Sequence, residues 1–349
     1  MTPLLGGAVL LGVFPVAAWL TGVFRRFALA RGILDVPVAR SSHLAATPRG
    51  GGVAIVVTTV IAMILLAAGG ALPRTQVFGL LGGGVLVALI GFLDDMRHVP
   101  ATWRLAGHFT AAAWVLAWLG GLPPLPQLSF LRGLPWMAQV LGALYIVWTL
   151  NLMKFMDGID GIAGTEAVTV CLGGVLLYVL SAPSSPELVV TLVLAAAASG
   201  FLIWNWPPAR IFMGDVGSGF LGLMLAGLSL QAGWVNAALF WSWVILLGVF
   251  VVDATLTLVR RVVCGQRFYE AHRTHAYQHA ALRWGHRPVT LAIAAINLLW
   301  LLPIGVLVAH GSLNGVLGVL IAYAPLFAAA VRLGAGVPAP GATERSSRD

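Results

Sequence analysis

Asn205-Trp-Pro-Pro-Ala-Arg-Ile-Phe-Met-Gly-Asp-Val-Gly-Ser218 lies between two strongly apolar runs, 188–204 and 219–231. A turn-forming, glycine-rich segment carrying Arg210 and Asp215 has no stable place against lipid, where unpaired polar groups are costly. It reads as a membrane-surface loop joining two helices and handling charge, with phosphate and a metal ion as the candidate ligands.

Composition agrees with that reading over the whole chain. Of 349 residues, 59% are hydrophobic and only 9% are charged, whereas soluble domains carry roughly 25% charged residues. Runs approaching the ~20 apolar residues of a membrane span recur at 4–24, 53–72, 77–93, 105–119, 138–152, 162–181, 188–204, 219–231, 238–259, 289–309 and 312–333. The runs are continuous and do not alternate, so they predict helices and exclude barrel strands of ~10 residues. The expected fold is an all-α polytopic membrane protein of about eleven transmembrane helices, with an active site built from cytoplasmic loops. Residues 1–333 form the membrane domain, and 334–349 form a polar, disordered tail.

The basic residues orient the chain. No Lys or Arg precedes the first span, and Arg25, Arg26 and Arg31 follow it, the reverse of a secretory signal. With the N-terminus outside, the loops 25–52, 94–104, 153–161, 205–218, 260–288 and the tail fall inside. They account for 18 of the 20 Lys and Arg residues, only Arg74 and Arg132 lying outside, as the positive-inside rule demands. The formal charge of +8 is therefore topological, and no basic soluble domain points to nucleic acid. Cys171 and Cys264 suggest neither a disulfide framework nor a zinc cluster.

Only twelve residues are acidic, and most gather at these loops. Asp94 and Asp95 are adjacent carboxylates that repel unless a cation offsets them; the bland reading pairs them with Arg97 and Arg104 at a helix end. Asp157 and Asp160 follow Lys154. Three residues apart, they would share a helix face or cap the next span. Gly217-Ser218-Gly219 opening a helix could offer amides to phosphate or simply allow a tight connection. Arg210 could touch phosphate or snorkel to the interface. His272, His275 and His279 stand at helical spacings and suit phosphate or nucleotide better than zinc, the alternative being a surface amphipathic helix. Asp253 lies inside its span, either functional or paired with another helix. Carboxylates, a glycine-rich turn and a basic histidine loop on one face are the inventory of metal-assisted phosphoryl transfer. A transporter or flippase for an anionic lipid-linked substrate is the alternative, but transporters place polar sites near the bilayer midplane.

These motifs resemble the polyprenyl-phosphate N-acetylhexosamine-1-phosphate transferases (glycosyltransferase family 4). The likeness rests on Asp35-Val-Pro37, Arg40-Ser-Ser-His43, Thr47-Pro-Arg-Gly-Gly-Gly52, Phe92-Leu-Asp-Asp95, Asp157-Gly-Ile-Asp-Gly161, Asn205 through Ser218 and His272-Arg-Thr-His-Ala-Tyr-Gln278. It implies transfer of an N-acetylhexosamine-1-phosphate from a UDP-sugar to undecaprenyl phosphate, with UMP released, in a bacterial inner membrane. It further implies Mg²⁺ (with Mn²⁺ as substitute), Asp215 as the metal ligand, and Asp94 and Asp95 orienting substrates or activating the lipid phosphate. Asp157 and Asp160 would organise nucleotide and metal, and His272, Arg273 and His275 would hold diphosphate or sugar. Lys154, Asn205, Arg210, Arg40 and His43 complete the expected substrate contacts; a homodimer is one assembly open to the chain, and the sequence does not fix the oligomeric state. The histidine loop resembles the O-antigen initiating branch that uses UDP-N-acetylfucosamine or UDP-N-acetylquinovosamine, not the peptidoglycan enzyme with its three consecutive histidines. Lys154 departs from the pattern, which expects Asn before Phe-Met-Asp-Gly.

Overall fold

A computed structural model describes residues 3–37, 45–97, 99–266 and 273–337. It is a helical membrane protein. The helices are α1 (Pro3–Arg31), α2 (Gly52–Ala68), α3 (Arg74–Met96), α4 (Ala101–Leu119), α5 (Pro135–Met156), α6 (Ile162–Ser181) and α7 (Pro186–Asn205). After them come α8 (Asp215–Val235), α9 (Ala237–Leu246), α10 (Gly248–Val263), α11 (Ala276–Trp284), α12 (His286–Ile296), α13 (Leu302–Ala309) and α14 (Gly315–Arg332). Strand content among the described residues is one two-residue ladder, Leu34–Asp35 against Thr47–Pro48.

A helix occupies each of the eleven expected positions. Eight are long and apolar enough to cross a membrane, and the bent pair α9–α10 raises the number to nine. Two of the expected runs fall outside that group: α2, with 17 residues, and α4, which carries Arg104 and His108. The run 238–259 is not one straight span, because α9 and α10 meet at 67° around Leu247. The run 289–309 is continuous but opens into a π-helical turn at Asn297–Leu301. There the amide of Asn297 donates to Glu166 Oε2 at 2.7 Å and to Thr169 Oγ1 at 2.8 Å. π-Helix occurs mostly as such single turns inside α-helices, and this one coincides with the polar contact of Asn297 to α6.

α8 is the axis of the bundle and is buried along its span. It packs against α2, α3, α5 and α9, and its glycines let backbones touch. A Cβ on Gly222 would lie 2.7 Å from Leu150 Cα, and one on Gly52 would lie 2.3 Å from Gly217 Cα. Small residues at such crossings replace the hydrophobic drive that lipid removes. Of the expected tail, Gly334–Val337 are ordered: Gly336 N donates to Thr274 O at 2.7 Å, and Ala335 O accepts from Arg260 at 2.9 Å. The rest of the expected tail, 338–349, lies outside the described residues.

Candidate active site

The helix directions bring the motif loops together. α3 and α5 end, and α8 begins, at the same end of the bundle, so Asp94, Asp95, Lys154 and Asp215 converge there. Asp95, in the last turn of α3, accepts the N–H groups of Asp215 at 3.0 Å and Val216 at 3.2 Å. One helix thereby supplies the N-cap of another, satisfying orphan donors at the start of α8 and meeting its positive dipole. Gly91, one turn earlier, keeps this approach open, because a Cβ there would stand 2.4 Å from Asp215 O. Gly214, at φ 77°, makes the turn into α8.

Three cations surround the Asp215 carboxylate. Lys154 Nζ is 2.8 Å away, Arg49 Nη2 3.5 Å and Arg104 Nη1 3.9 Å. Arg49 also pairs with Asp95 at 2.7 Å, and Arg104 pairs closely with Asp94. Asp94 Oδ1 accepts Val99 N at 3.0 Å. Asp94 and Asp95 are nearly buried, whereas one fifth of the Asp215 side chain stays accessible. Asp157 follows α5; its N–H donates to Lys154 O at 3.4 Å, and its carboxyl makes no hydrogen bond among the described residues. Burial, then the charge of Asp215, pushes Asp157 well above the usual carboxylate range. Four carboxyl groups thus share this end of the bundle with three cations, and Asp157 is the one without an ion pair among the described residues. That donor set fits a hard cation, since Mg²⁺ typically takes one or two carboxylates and fills the remainder with water and phosphate. No ready-made group of three acid, histidine or cysteine ligands exists among the described residues.

Asp157 and Asp160 do not share a helix face. α6 begins only at Ile162, and the two carboxylates diverge. Asp160 accepts Ala209 N at 3.1 Å and pairs with His286 at 3.2 Å, while its carbonyl accepts Thr290 Oγ1 at 2.9 Å. It ties the start of α6, the 205–214 loop and α12 together. Asn205 is buried and spent on backbone: Oδ1 accepts Gly161 N at 3.0 Å, and Nδ2 donates to Ile211 O at 2.9 Å. Arg210 is exposed on the α1 side, over the Trp204 ring at 5.9 Å, and its carbonyl accepts Arg25 Nε at 3.1 Å. The amides at the start of α8 are also spoken for, by Asp95 and by Gly214 O; the glycines there serve helix approach.

The histidine loop is not one helical face. α11 starts at Ala276, with His275 as its cap in extended conformation. Asp253 repeats the device of Asp95. From α10 it accepts Ala276 N and Tyr277 N, both at 2.9 Å, and faces His275 Nδ1 at 3.3 Å. The intramembrane acid is therefore a helix cap. Tyr277 reaches back to Phe155 O at 3.0 Å, setting α11 over the loop that holds Asp157. Arg273 is half-buried. His272, Arg40 and His43 lie outside the described residues.

Arg49 and His286 are the site residues that sequence reasoning did not single out. Arg49 stood within a quoted motif, and a basic residue amid glycines was its signal. His286 carries no local signal.

The family described as glycosyl transferase family 4 matches residues 77–233. A Bacillus subtilis protein named probable undecaprenyl-phosphate N-acetylglucosaminyl 1-phosphate transferase is 31% identical, over 80% of this chain and 79% of its own. A Mycobacterium tuberculosis decaprenyl-phosphate N-acetylglucosaminephosphotransferase is 32% identical, over 93% and 84%. A Moorella thermoacetica phospho-N-acetylmuramoyl-pentapeptide-transferase is 32% identical over a shorter stretch, 54% of this chain and 63% of its own.

Proposed function

This chain belongs to the polyprenyl-phosphate hexosamine-1-phosphate transferase superfamily, and on that premise we propose that it moves an N-acetylhexosamine-1-phosphate from a UDP-sugar to undecaprenyl phosphate. The carrying observation is the cluster around Asp215, where an accessible carboxylate sits among Lys154, Arg49 and Arg104 beside the unpartnered Asp157. A lipid-phosphate oxygen forms the new bond at the sugar-bearing phosphorus. The bond from that phosphorus to the bridging oxygen breaks, and the oxygen leaves with UMP. A phosphate monoester is largely dianionic near neutrality, its second pKa being about 6, so no strong base is required.

Asp215 and Asp157 would hold Mg²⁺, which when bound supplies neutralisation of the diphosphate's charge. Arg49, Arg104 and Lys154 place positive charge where the transferred phosphoryl group needs it. Asp94 and Asp95 orient two of these cations through their ion pairs. A segment of the polyprenyl chain finds a place in an apolar cavity of about 340 Å³ lined by Val252, Tyr277, Trp284, Val289, Ile293 and Leu333. It borders α11, which reaches the Asp157 loop through Tyr277.

The clustering of the motif loops at one end of the bundle supports a surface enzyme over a midplane transporter. The basic bias supports a cytoplasmic face for that end, and the bacterial relatives support an inner membrane as its location. The names of the relatives favour N-acetylglucosamine as the sugar over the 6-deoxy sugars expected from the 272–278 loop. Initial rates with UDP-N-acetylglucosamine, UDP-N-acetylfucosamine and UDP-N-acetylquinovosamine decide this. A clear preference for a 6-deoxy sugar would restore the O-antigen branch.

A further inference from the structure

Glu187 stands at the end of the bundle opposite the acidic cluster, in the first turn of α7. The start of α3 and the ends of α4 and α8 meet it there, around a cavity of about 200 Å³. Glu187 is half-buried, and no Lys, Arg or His among the described residues pairs with it. Ser185 Oγ holds one carboxylate oxygen, and the other is 3.4 Å from Gln76 Nε2. The same Gln76 nitrogen donates to Gln231 Oε1 at 3.3 Å, while Gln76 Oε1 is buried without a hydrogen bond. The pocket therefore holds an acid and a buried, unspent acceptor, with no basic residue in its lining.

Trp118 and Trp234 complete its wall. Both indoles are fixed. Trp118 stacks on Phe78 at 5.6 Å, and Trp234 Nε1 donates to Gly121 O at 3.2 Å. Each is nonetheless more than 40% exposed, as side chains at the edge of a bilayer are. A carboxylate without a counter-ion beside two tryptophans suits an organic cation, which gains from both charge and ring quadrupole. Arg74, between the lining residues Pro73 and Thr75, is exposed and makes no ion pair among the described residues. One uncompensated acid and one uncompensated base at a membrane edge balance to zero.

We propose that this pocket binds the headgroup of a zwitterionic aminophospholipid, with the ammonium at Glu187 between the two indoles and the phosphodiester on Arg74. The bound lipid would clamp the ends of α3, α4, α7 and α8 on the face away from the chemistry. An anionic headgroup would meet Glu187 without compensation, so phosphatidylglycerol should bind poorly.

Native mass spectrometry of the detergent-purified full chain, titrated with phosphatidylethanolamine or phosphatidylglycerol, tests this. Wild type should retain phosphatidylethanolamine preferentially. Glu187→Gln, which keeps the size and one acceptor, should weaken that binding about tenfold or more, as loss of a charge-assisted contact does. Arg74→Ala removes an exposed side chain with no ion pair and should narrow the preference while leaving the fold intact. Equal retention of both lipids by wild type would overturn the proposal. So would Glu187→Gln binding phosphatidylethanolamine like wild type. If Glu187→Gln fails to fold, an unchanged preference in Arg74→Ala contradicts the site on its own. Soluble glycerophosphoethanolamine competing as well as the lipid would refute a membrane source for the ammonium.

Discussion

Asp95→Ala removes three interactions at once, and their sizes can be worked out separately. Two are the N–H groups of Asp215 and Val216, which lose their acceptor. Losing an N-cap costs about 1 kcal/mol. The third is the ion pair with Arg49 at 2.7 Å, between an Asp side chain 5% exposed and an Arg side chain 34% exposed. Breaking a fully buried pair costs about 3–5 kcal/mol, whereas exposed pairs are worth about 0–1. A pair open on one side falls between them, and Arg49 keeps Asp215 at 3.5 Å, so about 1–2 kcal/mol is expected. The total is then about 2–3 kcal/mol. Arg49→Ala should cost less, because the cap survives it. The double variant should reveal a coupling of about 1–2 kcal/mol between the two residues. Reversible unfolding in mixed micelles, followed by far-ultraviolet circular dichroism, measures all four proteins. A cycle with no coupling, or an Asp95→Ala cost below about 0.5 kcal/mol, would refute the view that Asp95 fastens α3 to α8.

Lys154→Asn should lower the Mg²⁺ concentration for half-maximal activity, by roughly three- to tenfold, because it removes a cation 2.8 Å from the proposed ligand Asp215; an unchanged Mg²⁺ dependence would count against metal binding there. Arg273→Ala should reduce kcat/KM for the UDP-sugar roughly 10–150-fold, from a lost charge-assisted contact of ~1.5–3 kcal/mol, with the KM for lipid phosphate little changed. Asp253→Ala should raise hydrogen exchange at Ala276 and Tyr277, whose amides it holds at 2.9 Å, and protection equal to wild type would show that α11 is capped by other means. Gly52→Ala should lower the thermal midpoint, since its Cβ would fall 2.3 Å from Gly217 Cα and backbone has to move.

Charge was legible in this sequence because charge is scarce in it. In a chain only 9% charged, Asp94, Asp95, Asp157 and Asp215 stand out, and they do meet at one end of the bundle. Helix positions were legible for the same reason: continuous apolar runs leave few other options. The partner of each acid was not legible. Arg104, ten residues from Asp94, was within reach of local reasoning, but Arg49 pairs with an acid from another helix, and His286 meets Asp160 across 126 residues. The break at Leu247 was hidden because neither a charge nor a proline stands at it: Ser242 and Asp253 are the flanking polar residues, and Gly248 alone is a weak signal. Asp253 drew attention as an intramembrane acid; only the fold reveals that it caps α11. Asn205 and Arg210 sit in the same loop, yet one is buried in backbone contacts and the other faces outward, a difference that the local sequence does not encode.

The most direct test is UMP release by purified protein supplied with UDP-N-acetylglucosamine and undecaprenyl phosphate, with and without Mg²⁺, for wild type and Asp215→Asn. The site described here predicts release that needs both the lipid phosphate and Mg²⁺, and none above background from a folded Asp215→Asn protein. Near-normal release by that variant, or release by wild type that persists after complete chelation, would contradict it.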